Sequence, residues 1–123
     1  DRYREQAAMI LESFSTDMHQ NLVGHTGLLA AALDVINPQQ VVIAAETPDG
    51  PMAKALHSVS LPGALEHIIN DVEPTSTSPS VMGKAARDRQ PTAYACIGPQ
   101  CSAPLTDPEE FLGLLKQQRA AVG

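Results

Sequence analysis

The sequence predicts an α/β protein in which an N-terminal helical hairpin is followed by a small three-stranded, mainly parallel sheet with helices packed on it. Three observations support this prediction. Apolar residues recur at intervals of three and four along residues 3–36, which is the period of an α-helix. Two short apolar runs, 41–45 and 92–97, are rich in strand-forming residues and are bounded by polar or turn-forming residues. Helical patterns separate and follow these runs.

Residues 1–37 are predicted to form the helical hairpin. The second helix covers 25–36 and stops at Asn37, because the following proline disfavours helical backbone in the residue before it. The apolar residues of the first helix cover more than one narrow stripe of its surface, which suits a helix with neighbours on two sides. We therefore expect them to be exposed and to let the isolated chain self-associate. They are Tyr3, Ile10, Leu11 and Phe14.

Residues 38–123 are predicted to form the α/β unit. Helical spacing over 52–59, directly after Pro51, indicates a crossover helix that follows the first strand. Residues 64–72 fit helical spacing slightly better than strand alternation, so the pattern alone leaves both structures open. As a strand, this segment would pair in parallel with 41–45.

The final helix begins with the clearest local signal in the sequence. Thr106 and Glu109 fit a capping box. Alternatively, Asp107 is the N-cap, with Pro108 at the first helical position and Glu110 at the third. Either arrangement places acidic residues at the positive end of the helix dipole, so capping accounts for them without a catalytic role.

Composition and charge limit the possible partners. The chain has 123 residues, 43% of them apolar, and a net charge of −6. This charge argues against binding to nucleic acid or to an anionic membrane surface, because both need basic residues. The longest apolar run, 27–33, is too short to cross a bilayer. The charged N-terminus shows no signal peptide, which predicts a cytoplasmic protein, and a start at Asp1 within a helix predicts a segment of a longer chain.

Four residues are candidates for a site, although no familiar catalytic motif is present and no cofactor is expected. Cys96 and Cys101 are expected to be reduced thiols that folding does not require; a redox-labile pair and half of a metal site are the alternatives. His19 and His25 flank the link between the first two helices, where surface or capping roles are expected.

The end of the chain resembles a known family. PTAYAC at 91–96 and CSAPLTDPEEF at 101–111 are similar to the C-terminal end of thioredoxin-domain-containing proteins, which include the YyaL type and the spermatogenesis-associated thioredoxin-like protein. The chain departs from that pattern at Ser102, Leu105 and Phe111, where the family usually has glutamine, valine and leucine. Less specific similarity extends upstream, to GLLAAALD at 27–34, VVIA at 41–44 and LPG at 61–63.

The resemblance implies a role within a larger protein. Such proteins have an N-terminal thioredoxin-like domain and then a helical-hairpin barrel similar to sugar epimerases and six-hairpin glycosidases. This chain would supply the last barrel helices and a small α/β unit, and the resemblance favours a strand at 64–72.

We therefore expect an accessory, structural C-terminal domain without its own catalytic centre, whose partners are the upstream domains of the parent chain. One alternative is a contribution to a carbohydrate-active barrel site near His19 and His25, where sugar-like ligands would approach. The other is a dithiol redox module that uses Cys96 and Cys101.

Overall fold

A computed structural model describes residues 2–75 and 78–122, apart from the side chain of Val122. The chain forms two compact units that divide between Pro38 and Gln39. We call them the helical unit and the sheet unit. They are described separately below.

The helical unit contains three α-helices: α1 (Arg2–Ser13), α2 (Ser15–Gln20) and α3 (Thr26–Ile36). A short 3-10 turn (Val23–His25) precedes α3, and α1 packs against α3. The link before this turn is held by Asn21, whose Oδ1 accepts a hydrogen bond from the Gly24 N–H at 2.9 Å. The two-helix prediction is therefore correct for α1 and α3, and α2 is an additional short helix.

Large apolar side chains of the helical unit lie mostly at its surface. Met18 is the one hydrophobic side chain of this unit that is buried among the described residues. The predicted exposure of Tyr3, Ile10 and Phe14 is confirmed, while Leu11 is half-buried. The exposed large apolar side chains of this unit are Tyr3, Met9, Ile10, Phe14, Leu22, Val23, Leu33 and Ile36.

The sheet unit is built on four strands: β1 (Gln39–Ala44), β2 (Leu65–Ile69), β3 (Thr92–Ile97) and β4 (Gln100–Cys101). Their spatial order is β2-β1-β3-β4. Strands β1 and β2 are parallel and joined through helix α4 (Pro51–His57), as predicted. The segment 64–72, for which the sequence pattern left helix and strand open, contains strand β2.

The prediction of a three-stranded, mainly parallel sheet is wrong. Strand β3 pairs antiparallel with β1, and β4 pairs antiparallel with β3, so the sheet is mixed. A parallel return normally needs a crossover, usually a helix. The described part of the connection between β2 and β3 contains no helix, and β3 runs in the opposite direction to β1.

Helices cover one face of this sheet. Val41 and Ile43 of β1, with Ala93 and Ala95 of β3, pack in one buried cluster with residues of α4 and of the final helix α5 (Pro108–Val122). We call this the helix face. Phe111 of α5 is fully buried there. Asp107 caps α5, because its Oδ1 accepts the N–H groups of Glu109 and Glu110 at 2.8 and 2.9 Å, which resolves the two capping alternatives.

The opposite face of the sheet carries the alternate residues of each strand, including Val42, Thr92, Tyr94 and Cys96. All four are buried. The long connection 72–91, described except for 76 and 77, supplies groups that contact this face. The Tyr94 hydroxyl donates to the Ala85 carbonyl at 2.6 Å. We call 72–91 the covering segment.

Candidate functional site

The two cysteines form a disulfide bond between β3 and β4, so the predicted free thiols are not found. Cys96 and Cys101 are direct partners in the antiparallel register, and their Cα atoms are 3.9 Å apart. Pairing across a hairpin brings the sulfur atoms together without further chain closure. The prediction of free thiols is wrong because it rested on the small stabilisation that closing so short a loop provides, about 2 kcal/mol. It did not consider that strand pairing already places the two cysteines side by side.

A tight turn creates that proximity. Ile97 pairs with Gln100, which leaves Gly98 and Pro99 as the turn residues. Gly98 has a φ of 56°, a conformation that glycine adopts without steric cost, as required at the first central position of a II′ hairpin turn. The turn residues therefore set the register that joins the two cysteines.

Hydrogen bonds also hold this hairpin, in addition to the disulfide. The Ser102 N–H donates to the Ala95 carbonyl at 2.8 Å, and the Ala95 N–H donates to Ser102 Oγ at 3.2 Å. Further along, Ala93 and Leu105 exchange two backbone hydrogen bonds of 2.8 and 3.0 Å. The ladder therefore has several cross-links that do not involve sulfur.

The two sulfur-bearing residues differ in solvent access. Cys96 is 2% exposed, whereas Cys101 lies exposed on the edge strand β4. Both line an open cavity of about 190 Å³ between the hairpin and the covering segment. Lys84 and Ser80 of that segment also line it, together with Gln40 of β1. The disulfide thus lies beside an open cavity whose lining includes one basic residue, Lys84.

His19 and His25 do not form a comparable site. His19 is exposed in α2. One ring nitrogen of His25, Nδ1, lies 2.8 Å from the Asn21 carbonyl oxygen and so helps to hold the link before α3. Among the described residues, no group of three His, Cys, Asp or Glu side chains is placed to hold a metal ion.

A second cavity on the same side of the sheet was not anticipated from the sequence. It measures about 400 Å³ and is lined by His67, Ile69 and Asp71, with Val81 and neighbouring residues of the covering segment. His67 Nε2 is buried there without a hydrogen-bond partner in the described structure. His67 pairs with Val42, which pairs with Tyr94, so the three share one row across the sheet. The position of His67 beside this cavity follows from the strand register and not from any motif in the sequence.

Glu46 is a buried acid that the sequence analysis did not single out. Its carboxylate accepts the N–H groups of Thr47 and Met52, both at 2.9 Å. Helix α4 has Gly50 as its N-cap and so lacks a capping side chain of its own. A Cβ at Gly50 would overlap the Glu46 carboxylate. Glu46 therefore acts as the cap of α4 and needs no catalytic explanation.

Comparison of the chain with protein-family models, with curated proteins and with solved structures gives no match. Within the described residues, no helix is both long enough and apolar enough to cross a membrane.

Proposed function

We propose that this chain is a C-terminal accessory and structural domain of a multidomain thioredoxin-domain-containing protein. The helical unit docks against the helical barrel of that protein, and the chain has no catalytic centre of its own. The resemblance of residues 91–96 and 101–111 to the ends of such proteins suggests the parent.

The exposed apolar surface of the helical unit is the observation that carries this proposal. Of the ten large apolar side chains exposed among the described residues, eight lie in the helical unit and two, Leu65 and Met82, in the sheet unit. So many large apolar side chains exposed on one unit indicate an interaction site. A helical partner suits it, since apolar side chains on α1 and α3 present the ridges and grooves by which helices pack.

The chemistry of the surface favours a protein partner over nucleic acid. The chain is acidic, with a net charge of −6, and a phosphate backbone would be repelled. Helix α1 alone exposes Tyr3, Met9, Ile10 and Phe14, which would be desolvated against another apolar surface.

A reconstitution experiment tests this proposal. The helical barrel encoded upstream in the same reading frame is purified and mixed with the chain, and amide hydrogen exchange is measured with and without it. We expect a one-to-one complex in which α1 and α3 gain protection while β1 and β3 keep theirs. Tyr3→Ser and Ile36→Ser should each weaken binding about tenfold or more, as expected for apolar anchors.

Matched control variants come from the sheet unit. Leu65→Ser and Met82→Ser also remove exposed large apolar side chains and should leave binding unchanged. A reading frame without such a barrel, or a barrel that leaves the exchange rates of α1 and α3 unaltered, would show the proposal to be wrong. Equal losses in all four variants would point to non-specific adhesion instead and would also reject it.

A further inference from the structure

The disulfide combines one inaccessible and one accessible cysteine. Cys96 is buried on the face of the sheet opposite the helix face, and Cys101 is exposed on the two-residue edge strand. A thiolate must reach a sulfur atom to displace its partner. The arrangement therefore favours attack at Cys101, with Cys96 as the leaving group.

The cavity beside the disulfide offers both entry and charge. It is open, and both cysteines line it. Lys84 is the basic residue among those that line it. A nearby ammonium group favours the thiolate form of a cysteine, so it would stabilise the sulfur that leaves.

Reduction should leave the fold intact. The hairpin is also held by the Ser102–Ala95 hydrogen bonds and by the Ala93–Leu105 pair, and the Gly98 turn does not depend on sulfur. A loop that joins cysteines five positions apart gains little from closure. By the same linkage, folding protects this disulfide only weakly against reduction.

We propose that Cys96 and Cys101 form a thiol–disulfide exchange site whose substrate is a dithiol. A thiolate of the dithiol attacks Cys101 Sγ, the bond between the two Sγ atoms breaks, and Cys96 leaves as a thiolate beside Lys84. The second thiolate of the dithiol then attacks the dithiol sulfur that is bonded to Cys101 Sγ, and Cys101 leaves as a thiolate. Two electrons and two protons pass to the protein cysteines, and the dithiol becomes a disulfide. This site is independent of the docking surface of the helical unit.

Reduction of the purified, oxidised chain by dithiothreitol gives the first test. Free thiols are trapped with iodoacetamide and counted by mass spectrometry, while circular dichroism monitors the fold. We expect both thiols to appear in native buffer with an unchanged spectrum, at a rate proportional to the dithiothreitol concentration. A purified chain without the disulfide, or reduction that occurs only once urea unfolds the chain, would overturn the proposal and leave a purely structural cysteine pair.

Single-cysteine variants identify the attacked sulfur. In Cys96→Ala, the remaining Cys101 thiol should form a mixed disulfide with oxidised glutathione about tenfold faster than the Cys96 thiol does in Cys101→Ala, because of its greater access. Equal rates, or faster reaction at Cys96, would contradict attack at Cys101. Dithiothreitol kinetics of the wild-type chain remain decisive if either variant fails to fold.

A charge-matched pair of lysine variants tests the leaving group. Lys84→Gln should slow reduction by dithiothreitol about threefold, because the departing thiolate loses a neighbouring cation. Lys54→Gln removes the same charge from an exposed position of helix α4 and should have no effect. Equal rates in the two variants would overturn the role assigned to Lys84.

Discussion

The chain has four aromatic residues, two phenylalanines and two tyrosines, and each unit contains one of each. Phe111 of the sheet unit is fully buried, whereas Phe14 of the helical unit is 43% exposed. Tyr94 is buried with its hydroxyl bonded, whereas Tyr3 is 85% exposed. The same side chains thus form a core in one unit and a surface in the other. We therefore expect the sheet unit to contribute most of the stability, whereas the helical unit has apolar surface available for binding.

The two phenylalanines provide the strongest test of this contrast. Phe111→Ala should lower the free energy of unfolding by about 3–5 kcal/mol, because it leaves a cavity in the packed helix face. Phe14→Ala removes the same atoms from a partly exposed position and should cost about 1 kcal/mol or less. Urea unfolding followed by circular dichroism measures both values. Similar losses in the two variants would mean that the helical unit contains a core of its own.

Glu46 tests whether polar groups of the sheet unit also contribute to stability. Glu46→Ala should cost about 2–3 kcal/mol, because the Met52 N–H at the start of α4 and the Thr47 N–H in the preceding loop both lose their carboxylate acceptor. Glu46→Gln keeps one acceptor oxygen and should lose less. Glu12→Ala, at an exposed position of α1, is the control and should change stability by less than about 0.5 kcal/mol. A neutral Glu46→Ala variant would refute the capping role.

Tyrosine hydroxyls give a smaller, matched comparison. Tyr94→Phe should lower the free energy of unfolding by about 1 kcal/mol, because it removes the hydrogen bond between the sheet and the Ala85 carbonyl of the covering segment. Tyr3→Phe should be neutral, since that side chain is exposed. Thermal unfolding of both variants beside the wild type measures the difference. A neutral Tyr94→Phe variant would mean that this bond does not hold the covering segment.

Local signals explain why several elements could be predicted from the sequence. The cap at Asp107 and the apolar run of β1 depend on neighbouring residues alone, and both appear in the structure. For the strand at Leu65–Ile69, the spacing of apolar residues is compatible with both a helix and a strand, because five residues are too few to distinguish the helical period from strand alternation. Only the family resemblance favours the strand.

Features that depend on pairing between distant segments could not be predicted. The direction of β3 depends on the covering segment, which has no periodic pattern to follow. The disulfide depends on the register of β4, a strand of two residues that is too short to show alternation. The position of His67 beside a cavity likewise follows from its pairing with Val42. In each case tertiary register, rather than residue type, places the group.

The smallest expected effect on stability concerns the exposed face of the helical unit. Ile10→Ser combined with Leu33→Ser should change the free energy of unfolding by no more than about 0.5 kcal/mol, because both side chains are already largely in water. The same double variant should shift the isolated chain from associated species toward monomer in sedimentation velocity, since association buries such side chains. A large loss of stability would place these residues in a core. A wild-type chain that stays monomeric at high concentration would show that this surface does not drive self-association.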